Sequence, residues 1–359
     1  MSVPAHTHFH DPRSLCVLGM GASYPGPAIS TETLLRQFDE TFHLNIRSKG
    51  HALAHKLGIK TRHMARDFSA RGEKPRAGCS NPELSAQALF SALAEAELDI
   101  SAIDYLIGHT TTPHTLLPSN IAHVAEHIDY RGPYAEFRQA CTGFINALLF
   151  ASGLLSLPET RCVAIIGSEV GSVFLDPLRT AQDSGQLVNL VQMGDGAAAI
   201  VLGKTDKVTK KSQIIRNFFH GQIGTTRSSG LYLPAGGSSQ AMPEHEVLEF
   251  IHDFESIRTH GLDLFKAGLA CAKSCGIDPQ SCDYILPHQA NGKMDRILQP
   301  LLQPGPRVIV HGNSVGNTGS AAIWLGLHKT RSQMTTGQKL LAIGAEATKY
   351  MYGGFEFEA

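Results

Sequence analysis

The sequence has little excess charge of either sign and no long run of apolar residues. Its 359 residues include 31 Lys and Arg against 32 Asp and Glu, a formal net charge of −1. A chain with this balance has no overall field that attracts nucleic acid or an anionic membrane, so we expect neither as a partner. The longest apolar run, residues 144–155, is interrupted by Asn146 and Ser152. It is shorter than the roughly 20 residues that a membrane-spanning helix needs, so no span is predicted.

A secretion signal and a disulfide framework are also absent. The first residues contain neither a basic segment nor an apolar one, and the seven cysteines are an odd number scattered over a long chain. We therefore expect a cytoplasmic protein with reduced thiols. Its length suits two domains of ordinary size or one large duplicated domain.

Residues 14–25 contain two glycines, Gly19 and Gly21, but lack the third that a dinucleotide-binding turn requires. Tyr24 stands at that position, and Pro25 and Pro27 oppose a helix start just after it. The pattern instead predicts a strand that runs into a glycine-containing turn.

Cys141 is the candidate nucleophile, because a polar approach precedes it and an apolar run with helical character follows it. A cysteine at the start of a helix faces unpaired N–H groups and the positive end of the helix dipole, which favour the thiolate. Such a position can lower a thiol pKa from about 8.5 to roughly 3.5–7.5. The alternative is that Cys141 is a small apolar residue of the core.

The chain contains an internal repeat, because three patterns recur in the same order roughly 180 positions apart. The matched pairs are Asp104-Tyr105-Leu106-Ile107-Gly108-His109 with Asp283-Tyr284-Ile285-Leu286-Pro287-His288, Val163-Ala164-Ile165-Ile166-Gly167-Ser168-Glu169 with Leu340-Leu341-Ala342-Ile343-Gly344-Ala345-Glu346, and Cys141 with Asn317, each followed by a helix. Each copy alternates strands with helices, which predicts a parallel-rich sheet in each half with helices on its faces.

The boundary between the halves is predicted in residues 204–211, which are basic and poor in large apolar side chains. Residues 1–205 then carry Cys141, and residues 206–359 carry His288 and Asn317. If the halves pack around a pseudo-twofold axis, their equivalent loops converge, and we expect these three side chains to lie together.

Several short motifs resemble those of the β-ketoacyl-acyl carrier protein synthase III family, whose members have the thiolase fold. The matching motifs are Ala140-Cys141-x-Gly143-Phe144, Pro287-His288-Gln289-Ala290-Asn291 and Gly316-Asn317-Thr318, with Gly19-x-Gly21, Gly58-Ile59-x-x-Arg62, Leu117-Pro118-Ser119 and Gly194-Asp195-Gly196-Ala197 in the family's order. The resemblance covers nearly the whole chain. It implies an internally duplicated α-β-α-β-α layered architecture, a homodimer and a Cys-His-Asn active site.

The resemblance also implies a reaction. Cys141 would take an acyl group from an acyl-coenzyme A or acyl carrier protein thioester, and no further cofactor or metal is expected. The Cys141 N–H and a donor from the loop at Ala345, Glu346 and Ala347 would hold the oxyanion. His288 and Asn317 would stabilise the enolate that forms when a malonyl-type thioester loses carbon dioxide. The enolate would then attack the acyl group, in fatty acid or specialised polyketide-like biosynthesis.

The chain departs from the family pattern at positions where family members bind substrate. Ala345-Glu346-Ala347 replaces a run of glycines, so Glu346 is expected to affect the oxyanion site and the pKa of Cys141. Two arginines of the family are Lys56 and Lys293 here, which can contact phosphate as point charges but lack the bidentate fork of arginine. The alternative is that the segment containing Lys56 does not bind phosphate and is a solvated charged turn. The predicted substrate-binding residues are Lys56, Arg62, Leu117, Asn291 and Lys293.

Leu117 stands where family members often carry a bulky aromatic residue that reaches into the acyl pocket of the partner subunit. A smaller side chain there lengthens the pocket, so we expect an acyl group longer than acetyl.

Two other functions fit the same residues. Acyl-Cys141 could pass its acyl group to a hydroxyl or amine without decarboxylation, with His288 as a general base. The chain could instead be a non-catalytic subunit of a heteromeric condensing enzyme, although the presence of Cys141, His288 and Asn317 together opposes this.

Two further patterns suggest metal binding but are better explained otherwise. His6-x-His8-x-His10 is typical of a flexible polar tail. Cys271 and Cys275 lie one helical turn apart without a second pair of ligands, so we expect core-facing thiols.

Overall fold

The structure, a computed structural model, describes residues 8–205, 213–224, 227–242, 248–302 and 304–359. The strands are β1 (Phe9–Ser23), β2 (Ile29–Ser30), β3 (Thr61–Arg62), β4 (Tyr105–His109), β5 (Tyr134–Phe137), β6 (Cys162–Glu169), β7 (Gly196–Gly203), β8 (Gln213–Gln222), β9 (Leu231–Tyr232), β10 (Ile251–His252), β11 (Tyr284–Pro287), β12 (Arg307–Val308), β13 (Lys339–Glu346) and β14 (Met351–Glu358). The helices are α1 (Thr31–Phe42), α2 (Arg47–Leu57), α3 (Asn81–Ala96), α4 (Asn120–His127), α5 (Gly143–Leu155), α6 (Pro177–Gln182), α7 (Ser184–Gln192), α8 (Phe254–Ser274), α9 (Met294–Leu298), α10 (Gly312–Val315) and α11 (Ala322–Arg331).

Within the described residues, ten strands form one sheet in the order β12-β11-β13-β14-β8-β1-β7-β6-β4-β5. The antiparallel pairing of β1 with β8 divides this sheet into two sets of five strands. In each set three neighbouring strands are parallel and the two nearest the centre are antiparallel. The same pattern on both sides of the β1–β8 pair agrees with the repeat in the sequence, although each half is mixed rather than fully parallel.

Helices cover both faces of each half and also fill the space between the halves. Helix α3 packs on β1, β7 and β6, and α8 packs on β13, β14 and β8. Helices α5 and α11 lie in the centre, because α5 contacts strands of both halves and α11 contacts β1, β7 and β11. Three apolar clusters fill the spaces between these layers. The result is the duplicated α-β-α-β-α arrangement that the thiolase resemblance predicts.

The central strands are apolar along their whole length because both of their faces are covered. Every residue of β6 and β7 is buried, as expected for strands between two helical layers. Helix α3 begins at a capping box in which the carboxylate of Glu83 accepts from the backbone N–H of Ser80 at 2.9 Å. None of the helices formed by the described residues is long and apolar enough to cross a membrane.

The predicted turn at Gly19 and Gly21 is wrong, because both glycines lie inside β1. A Cβ atom at Gly21 would lie 2.2 Å from the carbonyl oxygen of Ala88, and one at Gly19 would lie 2.3 Å from that of Ala92. The two glycines therefore allow the backbone of α3 to approach the strand closely.

Two predictions concern segments that the structure describes only in part. Residues 206–212 lie outside the described residues, so the division into residues 1–205 and 206–359 stays a prediction. His6 lies outside them as well. The prediction of a flexible tail is wrong for His10, which pairs with Phe219 in the sheet.

We expect the substitution Gly21→Ala to lower the free energy of unfolding by at least about 1–3 kcal/mol, because the new methyl group overlaps backbone atoms of α3. Urea unfolding followed by circular dichroism measures this change. The matched control is Gly153→Ala in α5, where no atom lies within 4 Å of the added Cβ. That substitution should raise the stability by about 0.5–1 kcal/mol. If Gly21→Ala were as stable as the wild type, the close packing of α3 would not depend on this glycine.

Candidate active site

Cys141 lies at the entrance to the central helix α5. The helix begins at Gly143 with Thr142 as its N-cap residue, so Cys141 immediately precedes the cap. The residue is buried, with 8% of its surface exposed. It lines a cavity of about 60 Å³ whose walls also contain Asn317, Glu169 and Met193. The predicted nucleophile is therefore beside both a helix start and a pocket.

A carboxylate from the other half of the chain caps this helix start. Glu346, which is 1% exposed, accepts from the backbone N–H of Thr142 at 2.9 Å and from its hydroxyl at 2.6 Å. The hydroxyl of Thr348 donates to the other carboxylate oxygen. The side chain of Thr142 makes no capping bond within its own helix. The negative charge of Glu346 thus occupies the position that the helix dipole favours for an anion.

This arrangement raises the pKa of the Cys141 thiol well above its ordinary value. Burial is the largest cause, followed by the negative charges of Glu346 and Glu169. The prediction that the helix start lowers this pKa is therefore wrong. The prediction assumes that the helix start is free. The carboxylate of Glu346 is already bound there, and it competes with the thiolate for the same N–H groups and for the helix dipole.

A second buried carboxylate occupies the equivalent position in the other half. Glu169 ends β6 as Glu346 ends β13, and it accepts from the backbone N–H of Ser320 at 3.2 Å and from its hydroxyl at 2.6 Å. Ser320 lies in the turn of 3₁₀ helix that leads directly into α11. Each half therefore contributes a carboxylate that binds the start of the other half's central helix. The sequence pairs these two residues in the repeat but does not reveal this role.

Asn317 is fixed by its backbone at the edge of the same pocket. Its N–H donates to the carbonyl of Gln192 at 2.8 Å, and its carbonyl accepts from Gly194 at 3.1 Å. Gly316 precedes it with φ 75°, a left-handed conformation that glycine adopts without strain. The side-chain oxygen of Asn317 accepts from the N–H of Gly319 at 3.1 Å. This bond orients the amide so that its NH₂ group is the part that can bind a substrate oxygen.

His288 follows β11 and is buried. Its N–H donates to the carbonyl of Ile343 at 2.8 Å, and the parallel register of β11 with β13 places it beside Gly344. A Cβ atom on Gly344 would lie 3.1 Å from the carbonyl oxygen of Cys141. His288 and Cys141 therefore approach β13 at the same residue, although the described walls of the Cys141 cavity do not include His288.

The imidazole of His288 is neutral near pH 7. Burial lowers its pKa to about 4, and among the described residues Nδ1 has no hydrogen-bond partner. A neutral ring can donate a hydrogen bond from one nitrogen, but at this pKa it is a weak base. His109 is its equivalent in the first half, and there Nε2 accepts from the indole N–H of Trp324 at 2.9 Å. Of the two equivalent histidines, His109 is hydrogen-bonded within the core, and His288 lies near the nucleophile.

The predicted loop conformation is wrong for Ala345 and Glu346, because β13 continues through both, whereas a role of this segment in binding the oxyanion stays a prediction. They pair with Tyr352 and Met351 of β14. Only Ala347 lies beyond the strand, and its carbonyl accepts from the N–H of Gly230 at 3.0 Å. Where the family pattern has flexible glycines, this chain has a strand whose last side chain caps α5.

Arg62 is not a substrate-binding residue, so that prediction is also wrong. Its side chain is fully buried, and it donates to the hydroxyl of Thr31 at 2.9 Å and to the carbonyl of Val191 at 2.7 Å. Burial lowers its pKa to about 10. Arg62 joins β3 to the start of α1 and the end of α7, where a phosphate cannot reach it.

Lys56 and Lys293 come to the same rim of the molecule. Gly292 donates to the carbonyl of Leu57 at 2.8 Å, and the ammonium group of Lys293 donates to the carbonyl of His55 at 2.6 Å. Asn291 stabilises this turn by accepting from the Lys293 N–H at 2.8 Å. Lys56 is exposed. A role for these residues in binding coenzyme A stays a prediction.

Leu117 was predicted to contact the acyl group, whereas Phe250 and His252 were not predicted. Leu117 is 87% exposed in the single chain, so its predicted contact with a partner subunit's pocket stays a prediction. Phe250 and His252 line the cavity beside Cys141 and were not identified from the sequence. Burial lowers the pKa of His252 to about 4, and its Nδ1 has no partner among the described residues. The signal that could have located this wall is weak, because β10 contains only two residues.

Comparison with known proteins gives consistent results over nearly the whole chain. The family model described as 3-Oxoacyl-[acyl-carrier-protein (ACP)] synthase III matches residues 135–221, and the model of its C-terminal part matches residues 272–352. The chain is 31% identical to the 3-oxopimeloyl-[acyl-carrier-protein] synthase of Rhodothermus marinus, with 96% of this chain and 94% of that protein covered. It is 26% identical to the beta-ketoacyl-[acyl-carrier-protein] synthase III of Syntrophomonas wolfei, with 94% and 95% covered.

Solved structures with the same fold include two condensing enzymes. The tetronic acid condensing enzyme AbyA1 has a TM-score of 0.84 and 25% identity, with 96% of this chain and 100% of that chain covered. The priming beta-ketosynthase of the R1128 polyketide pathway has a TM-score of 0.76 and 22% identity, with 97% of each chain covered. These similarities confirm the predicted fold.

We expect the substitution Glu346→Gln to lower the pKa of Cys141, because it removes a nearby negative charge and keeps an oxygen that accepts from Thr142. The pH dependence of alkylation by iodoacetamide measures this, since only the thiolate reacts. Below the pKa, reactivity at a fixed pH rises about tenfold for each unit by which the pKa falls. Glu126→Gln is the control, because Glu126 is 84% exposed on α4 and should leave the profile unchanged. An alkylation profile of Glu346→Gln that matched the wild type would mean that the carboxylate does not hold the thiol protonated.

Proposed function

The chain belongs to the 3-oxoacyl-[acyl-carrier-protein] synthase III family, and from this premise we propose that it is a decarboxylative condensing enzyme. Cys141 takes an acyl group from a coenzyme A or carrier protein thioester. A malonyl-type thioester then supplies the enolate that forms the new carbon–carbon bond. The observation that carries this proposal is the position of Cys141 and Asn317 in one cavity, with the neutral His288 beside the strand that the Cys141 backbone contacts.

The first half-reaction transfers the acyl group to Cys141. Because the thiol is protonated in the free enzyme, its proton must leave as the sulfur attacks the thioester carbonyl. The Cys141 N–H, together with a backbone donor near the end of β13, holds the oxyanion of the tetrahedral intermediate. The thiol of the coenzyme A or carrier protein leaves with a proton, and the acyl group remains on Sγ.

The second half-reaction loses carbon dioxide. Cleavage of the bond between the malonyl carboxylate and the α-carbon leaves an electron pair on that carbon, and the thioester oxygen carries the negative charge of the enolate. The ring N–H of His288 and the NH₂ group of Asn317 donate to this oxygen. The α-carbon attacks the acyl-cysteine carbonyl, and the Cys141 sulfur leaves and takes up a proton.

The pKa of His288 favours this reaction over transfer to a hydroxyl or amine. A general base is most effective when its pKa lies near the working pH, and a value of about 4 is several units too low. The same low pKa keeps His288 uncharged, which suits a hydrogen-bond donor to an enolate. A non-catalytic role is disfavoured, since Cys141, His288 and Asn317 are all present.

The acyl group is proposed to be longer than acetyl. The support for this proposal is Leu117, which is smaller than the aromatic residue that family members often carry at this position. In a homodimer, which we propose as the active form in the cytoplasm, Leu117 extends from each chain and complements the partner's pocket. No cofactor is needed, because both half-reactions use only thioesters.

The purified protein, given an acyl thioester and a malonyl thioester, should release carbon dioxide and form a β-keto thioester two carbons longer than the acyl group. Mass spectrometry of the product and trapping of carbon dioxide measure both. The variant Asn317→Asp should lose at least about tenfold in condensation while still accepting the acyl group, because it replaces an NH₂ donor with a negative charge. An ester or amide product without carbon dioxide would contradict the proposal.

Acylation of Cys141 should be faster with medium-chain than with acetyl thioesters. The variant Leu117→Phe should reverse this order, because an aromatic ring shortens the partner's pocket. The ratio of acylation rates, followed by intact mass, is the measurement, and Leu116→Phe on the neighbouring position is the control. A clear preference of the wild type for acetyl would contradict the predicted chain length.

A further inference from the structure

The beginning of β1 and the end of α8 bring one histidine and two cysteines together outside the catalytic pocket. We propose that His8, Cys271 and Cys275 form a binding site for a zinc-like divalent cation. The ring nitrogen of His8 and the two sulfur atoms all lie within 4.8 Å of one another. The cavity that contains His8 and Cys271 shares no lining residue with the cavity beside Cys141 among the described residues.

The helix aligns the two sulfur atoms. Cys271 lies in the last turn of α8 and Cys275 is its C-cap residue, with the Cys275 N–H donating to the carbonyl of Cys271 at 3.0 Å. Residues four apart lie on the same face of a helix, so both side chains point in one direction. The sequence predicts this pair but offers no further ligands near it.

The sheet supplies the third ligand. Phe9 pairs with His220 of β8, and Gly221 of β8 pairs with Tyr352 of β14, so the start of β1 lies at the same end of the sheet as Tyr352. Helix α8 packs across β8 and β14 on this face. The hydroxyl of Tyr352 is hydrogen-bonded to Cys271. His8, which is far from the cysteines in the sequence, is therefore delivered to them by strand pairing.

The spacing is close to what a tetrahedral ion needs. Zinc–sulfur bonds of about 2.3 Å and zinc–nitrogen bonds of about 2.0 Å require ligand atoms roughly 3.6–3.8 Å apart. The observed limit of 4.8 Å between the three ligand atoms is about 1 Å larger than this spacing. Two thiolates and an imidazole favour zinc over magnesium or calcium. The adjoining cavity of about 640 Å³ gives the ion an entry path and leaves the fourth position to water.

The electrostatic surroundings permit thiolate formation when a cation binds. Without one, burial and the neighbouring Cys275 raise the pKa of the Cys271 thiol. A bound cation displaces the protons, and the Tyr352 hydroxyl can then donate to the Cys271 thiolate as an outer hydrogen bond. Arg227, Lys266 and Asp263 also line the cavity, and the negative charge of two thiolates would offset the excess positive charge of these side chains.

The consequence of such a site is mechanical. A cation held by His8 on one side and by α8 on the other fastens the beginning of β1 to the outer helix of the second half. The site joins elements that lie at opposite ends of the chain. It does not take part in acyl transfer, because its ligands do not line the Cys141 pocket.

Titration of the full-length, reduced and chelator-treated protein with Co²⁺ under anaerobic conditions tests this site. We expect one equivalent to bind with a sulfur-to-cobalt charge-transfer band and the strong visible bands of a tetrahedral complex, and Zn²⁺ to displace it. Cys275→Ser should weaken binding by at least about 100-fold, the upper end of what outer-shell changes cost. Cys275→His should retain binding with about half of the charge-transfer intensity, because one of two thiolates remains.

The controls separate this site from other metal binding and from misfolding. Cys79→Ser removes a half-buried thiol elsewhere and should bind Co²⁺ like the wild type. Circular dichroism should be the same for all variants, and Zn²⁺ should raise the Tm of the wild type but not that of Cys275→Ser. Binding without a sulfur charge-transfer band, which would indicate the N-terminal histidines alone, overturns the proposal. Unchanged binding by Cys275→Ser, or no binding by the wild type, also overturns it.

Discussion

Two buried carboxylates that cross between the halves hold the centre of this protein together. Glu346 binds the start of α5 through Thr142, and Glu169 binds Ser320 at the approach to α11. Each is a charge removed from water, and each is compensated by several donors that include a backbone N–H at a helix terminus. Cys141 lies just before α5, and Asn317 lies just before the turn that leads into α11. The spacing of the nucleophile from the rest of the site therefore depends on this pair of contacts.

The same contact determines the state of the nucleophile. A helix start that is free would favour the Cys141 thiolate, but Glu346 already satisfies the Thr142 N–H and adds a negative charge. The thiol consequently stays protonated, and the neutral His288 nearby also stays uncharged. Both groups are therefore uncharged in the free protein, and in the proposed reaction the thiol loses its proton as the sulfur attacks a bound thioester. Such a site limits side reactions of an exposed thiolate.

The sequence predicts the architecture well because the internal repeat can be recognised from the order of its strand and helix patterns, without knowledge of contacts between distant residues. The matched strands, the helices after Cys141 and Asn317, and the duplicated layers all follow from periodicity and from the family resemblance. Other features depend on contacts between distant residues and could not be predicted. Thr142 and Glu346 are 204 positions apart, and Arg62 meets Val191 across 129 positions. Gly19 and Gly21 resemble turn glycines in the sequence, and only the packing of α3 shows why a strand contains them.

The proposed function depends most directly on Cys141 as the acyl carrier. Intact-mass spectrometry of the purified protein after incubation with a panel of acyl thioesters measures this without assuming the second substrate. We expect a single added acyl group on the wild type, which hydroxylamine removes, and none on Cys141→Ala. If no thioester acylated the wild type, or if Cys141→Ala were acylated equally, Cys141 would not be the acyl carrier.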